Sequence, residues 1–123
     1  MQRFTDLKVW QRAHAFAVRI HETTESFPTS SHDLRGQLRR SAFSAPFNIA
    51  EGSKRQSPAD YARFINTAEA SLSECEAQLL FARDVQLMAP PIVDELADEA
   101  QQISRMLNAL RVRVLGASTR RRA

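Results

Sequence analysis

Apolar residues recur along this chain at intervals of three and four, and the interval holds for most of its length. Between residues 58 and 86, Tyr61, Ile65, Ala68, Leu72, Cys75, Leu79 and Ala82 follow one another at alternating spacings of four and three. That spacing sets one side chain per turn on a single line down a helix. Val93, Leu96, Ala100, Ile103, Leu107, Leu110 and Val114 repeat the pattern over 90–115. Near the start, Trp10, Ala13, Ala17 and Ile20 form a stripe that Phe16 widens, which predicts a helix over about 6–25. Leu34, Leu38, Ala42, Ala45 and Ile49 mark a further helix over 31–51. No strand-like alternation competes with these four segments.

The residues between them are helix punctuation. Asp6 suits an N-cap or first-turn position, and Ser30 followed by Asp33 resembles a shortened capping box after the Phe27-Pro28 break. Ser57-Pro58-Ala59-Asp60 supplies a capping oxygen, a proline at the first helical position and an acid, Asp60, that reaches back from the third. Gly52 reads as a left-handed residue closing the second helix, and Gly116 as the stop of the fourth. Four long amphipathic helices on short connections predict an all-α fold, an antiparallel up-down-up-down four-helix bundle over residues 1–116. Residues 117–123 carry no apolar anchor and read as a basic flexible tail.

The second helix carries what helices usually avoid. Pro46 in its interior has no N–H for the Ala42 carbonyl, at a cost of ~3 kcal/mol if nothing relieves it. A kink between Ala42 and Pro46 is expected, with the other three helices packed around this one.

Composition narrows the class. With 123 residues, 43% hydrophobic and 25% charged, the chain has the makeup of one soluble domain. No apolar run approaches the ~18 residues of a membrane span, and Met1-Gln2-Arg3-Phe4-Thr5-Asp6 is not the start of a signal peptide. Residence in the cytoplasm and no membrane contact are the expectation, and the single cysteine excludes an internal disulfide. The net charge of +3 conceals an asymmetry: residues 1–57 hold nine Lys/Arg against five Asp/Glu, residues 58–101 two against nine, and residues 102–123 six against none. Such segregation can pair within the chain, join subunits or face an anionic partner.

Several stretches together resemble one bacterial family: Phe4-x-x-Leu7-x-Val9-Trp10, Phe27-Pro28, Gln37-Leu38-Arg39-Arg40-Ser41-Ala42, Asn48-Ile49-Ala50-Glu51-Gly52 and Ala68-x-x-Ser71-x-x-Glu74-x-x-x-Gln78-Leu79. These are similar to the four-helix-bundle proteins encoded by intervening sequences of 23S ribosomal RNA genes. That family is in turn similar in fold to the accessory variability protein of diversity-generating retroelements. The resemblance implies a small cytosolic bundle that assembles as a ring, a homopentamer. By analogy with the accessory protein it implies contact with nucleic acid and a reverse transcriptase through a basic surface. Ala70-Ser71 departs from the Gly-Ser common in the family, which implies a slightly wider helix contact there.

The candidate sites divide into phosphate-facing and structural residues. Arg35 and Arg39 share a helix face and, with Lys54 and Arg55, can form an anion-facing patch. Arg111 and Arg113 either stabilise the negative end of the fourth helix or extend a basic surface. Arg120, Arg121 and Arg122 make a dense positive rim if repeated around a ring, or merely a solvated tail. Arg40 can pair with Glu74 inside an assembly, and Asn48 can satisfy a backbone group freed by Pro46 while Glu51 meets a nearby cation. Phe43, Phe47 and Phe81 lie off the apolar seams and mark either a subunit contact or a broad internal face. His14 and His21 stand two turns apart, about 10 Å, too far for one metal ion, and His32 stands alone. Cys75 falls on a seam, and no catalytic triad spacing, phosphate loop or di-iron motif appears. The sequence therefore predicts a non-enzymatic homo-oligomeric scaffold without metal or cofactor, contacting RNA or DNA through phosphates. The alternative is a protein–protein adaptor that docks a partner enzyme without nucleic acid.

Overall fold

The structure, a computed structural model, describes residues 3–122, and of residues 117–122 the backbone alone. Four α-helices carry the fold: α1 Lys8–Thr23, α2 His32–Ser53, α3 Pro58–Asp84 and α4 Pro90–Arg122. Short 3-10 turns, Phe4–Asp6 and Thr29–Ser31, precede α1 and α2. There is no strand among the described residues, and the helices form a four-helix bundle.

Side-chain pairs fix the antiparallel register. Ser41 meets Gln78 and Ser44 meets Ser71 between α2 and α3. Arg12 meets Glu99 and Arg19 meets Glu95 between α1 and α4. Arg39 reaches Thr24, and Phe43 stacks on His21, between α2 and α1. In each pair of helices the numbers rise on one side as they fall on the other, so α1 and α3 run one way and α2 and α4 the other.

The core is the seam the spacing predicts. Ile65, Ala68, Leu72, Cys75, Leu79 and Ala82 of α3 are buried, as are Val93, Leu96, Ala100, Ile103, Leu107 and Leu110 of α4. Tyr61 and Val114, both half-buried, close the two seams at the same end of the bundle, where they line one cleft. From α1, Val9, Ala13, Phe16, Ala17 and Ile20 point inward, with Trp10 at the edge. From α2 come Leu38, Ala42, Ala45, Pro46 and Ile49. Roughly 1.5–3 kcal/mol follows from burying each large aliphatic or aromatic side chain, so this seam is the main source of stability.

Several helix ends differ from expectation. Asp6 belongs to the opening 3-10 turn, and α1 starts at Lys8 with no side-chain cap. The turn is held by Gln11 Nε2 donating to the Thr5 carbonyl at 2.8 Å and by the Phe4 ring edge-on to Trp10 at 5.1 Å. The Ser30–Asp33 capping box is not made, because Thr29–Ser31 already forms a 3-10 turn leading into α2. Ser57 does cap α3, its Oγ accepting from the Asp60 N–H at 3.3 Å. The side chain of Asp60 takes Arg63 instead of reaching back. After α3 the left-handed position is Gln86, with φ 65°. Gly52 lies inside α2 and has no positive φ. Gly116 does not stop α4, which continues through it; nothing lies within 4 Å of where its Cβ would be.

Candidate nucleic-acid interface

The antiparallel topology sorts the charges by end. The start of α1, the α2–α3 corner and the C-terminal half of α4 meet at one end, bringing together Arg3, Lys8, Lys54, Arg55, Arg63, Arg111 and Arg113 with the carboxylates Asp6, Glu51, Asp60 and Glu69, and Arg105 lies nearer the middle of α4. The opposite end collects Glu22, Glu25, Asp33, Asp84, Asp94, Glu95, Asp98 and Glu99.

Partners decide which of these cations face outward with charge to spare. Arg55 meets Glu51 at 3.2 Å and lies over the Phe64 ring at 4.8 Å, and Arg63 meets Asp60 at 2.7 Å. Arg111 donates to Glu69, Asn66 and Asn108, which ties it to α3. Arg3, Lys8, Lys54, Arg105 and Arg113 form no ion pair among the described residues. Lys54 sits 5.8 Å above the Phe4 ring, a cation–π contact that positions the ammonium without neutralising it. Lys8, Arg113 and the carboxylate Asp6 line a cleft of about 690 Å³ whose apolar wall includes Leu7, Tyr61, Met106 and Leu110. Burial pushes the Tyr61 phenol above its ordinary pKa, with Arg113 opposing the shift.

The patch proposed from Arg35, Arg39, Lys54 and Arg55 does not form. Arg35 and Lys54 are nineteen residues apart on α2, about 28 Å along the axis, and stand at opposite ends of the bundle. Arg39 is spent on α1: Nε donates to Thr24 Oγ1 and Nη2 to the His21 carbonyl and to Glu25, each at 2.9 Å. Its guanidinium holds the Glu25 carboxyl below its ordinary pKa, chiefly through the hydrogen bond. Arg40 and Glu74 are both exposed and do not pair with each other within the chain. The side chains of Arg120, Arg121 and Arg122 lie outside the described residues.

The structural candidates resolve differently. Asn48 Nδ2 donates to the Ser44 carbonyl at 2.7 Å and to Ser44 Oγ at 2.9 Å, whereas the carbonyl that Pro46 leaves short is that of Ala42. Ser71 Oγ lies 2.7 Å from Ser44 Oγ and 3.0 Å from the Thr67 carbonyl. One proton order, Asn48 to Ser44 to Ser71 to Thr67, satisfies this whole α2–α3 relay. Ala70 is exposed, so its Cβ does not widen a helix contact within the chain. Phe43, Phe47 and Phe81 are 37%, 65% and 58% exposed, which excludes a broad internal face.

Spacing alone missed Arg12, one of three cations in α1. It makes a two-pronged pair with Glu99 at 3.1 and 2.7 Å and also donates to Gln102 at 2.8 Å. With Arg19–Glu95 at 2.9 Å, it ties the acidic start of α4 to α1. Part of the charge asymmetry is thus answered within the chain. Cys75 is buried, which pushes its thiol up to about 12 and denies it a nucleophile's role at neutral pH. No group of three His, Cys, Asp or Glu converges among the described residues, and none of their helices is long and apolar enough to cross a membrane.

A search of curated protein sequences returns no match. Among solved structures, the chain is similar to a protein of unknown function from the S23 ribosomal protein family of Bacteroides thetaiotaomicron. The TM-score is 0.74 at 22% identity, covering 84% of this chain and 97% of the other, a likeness in fold. The family model for the 23S rRNA-intervening sequence protein matches residues 5–109, and on that match, spanning most of the bundle, the chain belongs to this family.

Proposed function

We propose that this chain is a non-enzymatic scaffold of the cytoplasm, a homo-oligomeric ring of bundles, pentameric as the family resemblance implies, that meets RNA or DNA phosphates with its basic end. The observation that supports the reading is the gathering of Lys8, Lys54 and Arg113 at one end without an ion pair among the described residues, Asp6 being the carboxylate that shares the cleft of Lys8 and Arg113. Each copy in a ring repeats that end, and repeated weak phosphate contacts add through effective concentration. Lys and Arg on phosphates carry no base code, so the contact is weakly sequence-specific.

The test is fluorescence anisotropy with labelled single-stranded and duplex RNA and DNA across a salt series. Affinity falls steeply and linearly on a log–log plot, and Lys54→Glu with Arg113→Glu removes most of it. Truncation after Gly116 reports separately on the three terminal arginines. Absent binding, or binding indifferent to salt and to these changes, overturns the reading and leaves the adaptor role, with a partner such as a reverse transcriptase.

A further inference from the structure

We propose that the outward face of α2 and α3 is where a second copy of this chain docks, the Arg40–Phe43–Phe47 ridge of one copy seating in the Glu74–Phe81 groove of another. The proposal rests on the homo-oligomeric reading and names the surfaces that would make it.

The ridge is built by helix geometry. Gly36, Arg40, Phe43 and Phe47 succeed one another at spacings of four, three and four, so they share the side of α2 away from the core. Phe43 and Phe47 stack with ring centroids 6.1 Å apart, and Phe47 is 65% exposed. Arg40 is exposed and makes no hydrogen bond or ion pair among the described residues. Its guanidinium folds back over Gly36, where an added Cβ would lie 3.1 Å from Nη1. Two stacked rings and an unneutralised guanidinium thus share one exposed side of α2. Aromatic rings and arginine are the side chains that most often anchor protein interfaces.

The groove is the chemical complement. Between the start of α2 and the C-terminal half of α3, Leu34, Ala77 and Phe81 line a hollow of about 470 Å³ with Asp33 and Glu74 at its edge. Glu74 is exposed, and its one hydrogen bond is from Gln78 Nε2 at a long 3.3 Å. A carboxylate beside an exposed ring suits a guanidinium beside two rings. The same carboxylates repel phosphate, so this face favours protein over nucleic acid. When the ridge of one copy fills the groove of the next without the reverse contact, the interface is heterologous. Each added copy offers a fresh ridge and groove until a ring closes.

Sedimentation of the full chain, with circular dichroism as the folding check, tests this by charge exchange. Arg40→Glu and Glu74→Arg each raise the dissociation constant at least tenfold and shift the population toward monomer. Arg40→Glu combined with Glu74→Arg restores the assembly. Phe47→Ala also shifts it toward monomer while helix content is kept, since the ring packs no core. A wild-type chain that stays monomeric at high micromolar concentration overturns the oligomeric reading itself. A wild-type oligomer unmoved by the single variants overturns only this choice of face, and failure of the double exchange to restore assembly overturns the Arg40–Glu74 pairing.

Discussion

A Cβ added to Gly52 of α2 would lie 2.7 Å from the Cβ of Phe64 in α3 and 3.0 Å from Cδ1 of Tyr61. The first distance is shorter than real Cβ contacts allow, and the atom it meets is close to backbone, so the helices themselves must move. Gly52→Ala is therefore expected to destabilise by about 1–3 kcal/mol, despite alanine's better helix propensity. At about 3–6 °C per kcal/mol for a domain of this size, the loss is readable as a melting shift. An unchanged or raised midpoint would mean that the α2–α3 approach is softer than the contact indicates.

Arg39 acts as a cap supplied from another helix. Thr24 is fully buried, its hydroxyl donating to the Ile20 carbonyl at 2.7 Å and accepting from Arg39 Nε, while Nη2 covers the His21 carbonyl at the open end of α1. Removing the guanidinium leaves a carbonyl near the helix end without its donor. Arg39→Ala is expected to cost about 1–3 kcal/mol in urea denaturation. Arg39→Lys should recover little, since an ammonium cannot span two acceptors with a planar fork. Full recovery by lysine would show that charge alone matters there.

These two residues mark what the sequence could and could not disclose. The four helices were legible because three-and-four spacing and the Ser57-Pro58 start are local signals, and the α3 seam is buried as spaced. A glycine near a helix end, by contrast, has the same local signature whether it closes the helix or admits a neighbour. Only the position of Phe64 decides, and that is a tertiary fact. Arg39 beside Arg40 likewise gives no hint that one faces α1 and the other water. The separation of charge to two ends needed only the topology, since alternating chain direction brings residues 3–8, 54–63 and 111–113 together. Arg35 and Lys54 belong to one helix and its cap, but the length of α2 sets them at opposite ends of the bundle.

Cys75 gives the fold an alkaline limit. Its thiol is pushed from 9.0 up to about 12 by burial, with Ser41 opposing and Glu74 and Glu76 adding. The folded state holds the proton more tightly, so this contribution is full below about pH 9, where both states are protonated. It declines as pH rises through that point toward 12, where the unfolded thiol ionises first. The loss is at most about 4 kcal/mol across the window, and the raised Tyr61 phenol acts in the same direction. Urea midpoints from pH 8 to 11 should fall more steeply for the native chain than for Cys75→Ala, which lowers stability overall but removes the thiol's share. At pH 8, reaction with a thiol reagent should follow the unfolded fraction. Rapid labelling of the folded chain would contradict the burial.

Pro46 poses a contest between a backbone gain and a packing loss. It is buried within α2, and the helix continues on both sides of it. Pro46→Ala returns a donor to the Ala42 carbonyl and removes the ring's clash, worth up to ~3 kcal/mol. It also deletes two buried methylenes, at about 0.8 kcal/mol each before any cavity cost. If the proline is merely tolerated, the balance favours alanine by about 1 kcal/mol, and the new amide at residue 46 should be protected from hydrogen exchange like its neighbours. If instead the core is built around a bend set between Ala42 and Pro46, straightening α2 disturbs its packing against α1 and α3. The variant then loses stability even though it has gained a hydrogen bond. We expect the second outcome, because Leu38, Ala42, Ala45 and Ile49 are fully buried on either side of the proline, so any change in the helix axis there would open the seam. A stabilised Pro46→Ala chain with unchanged helix packing would count against the bend.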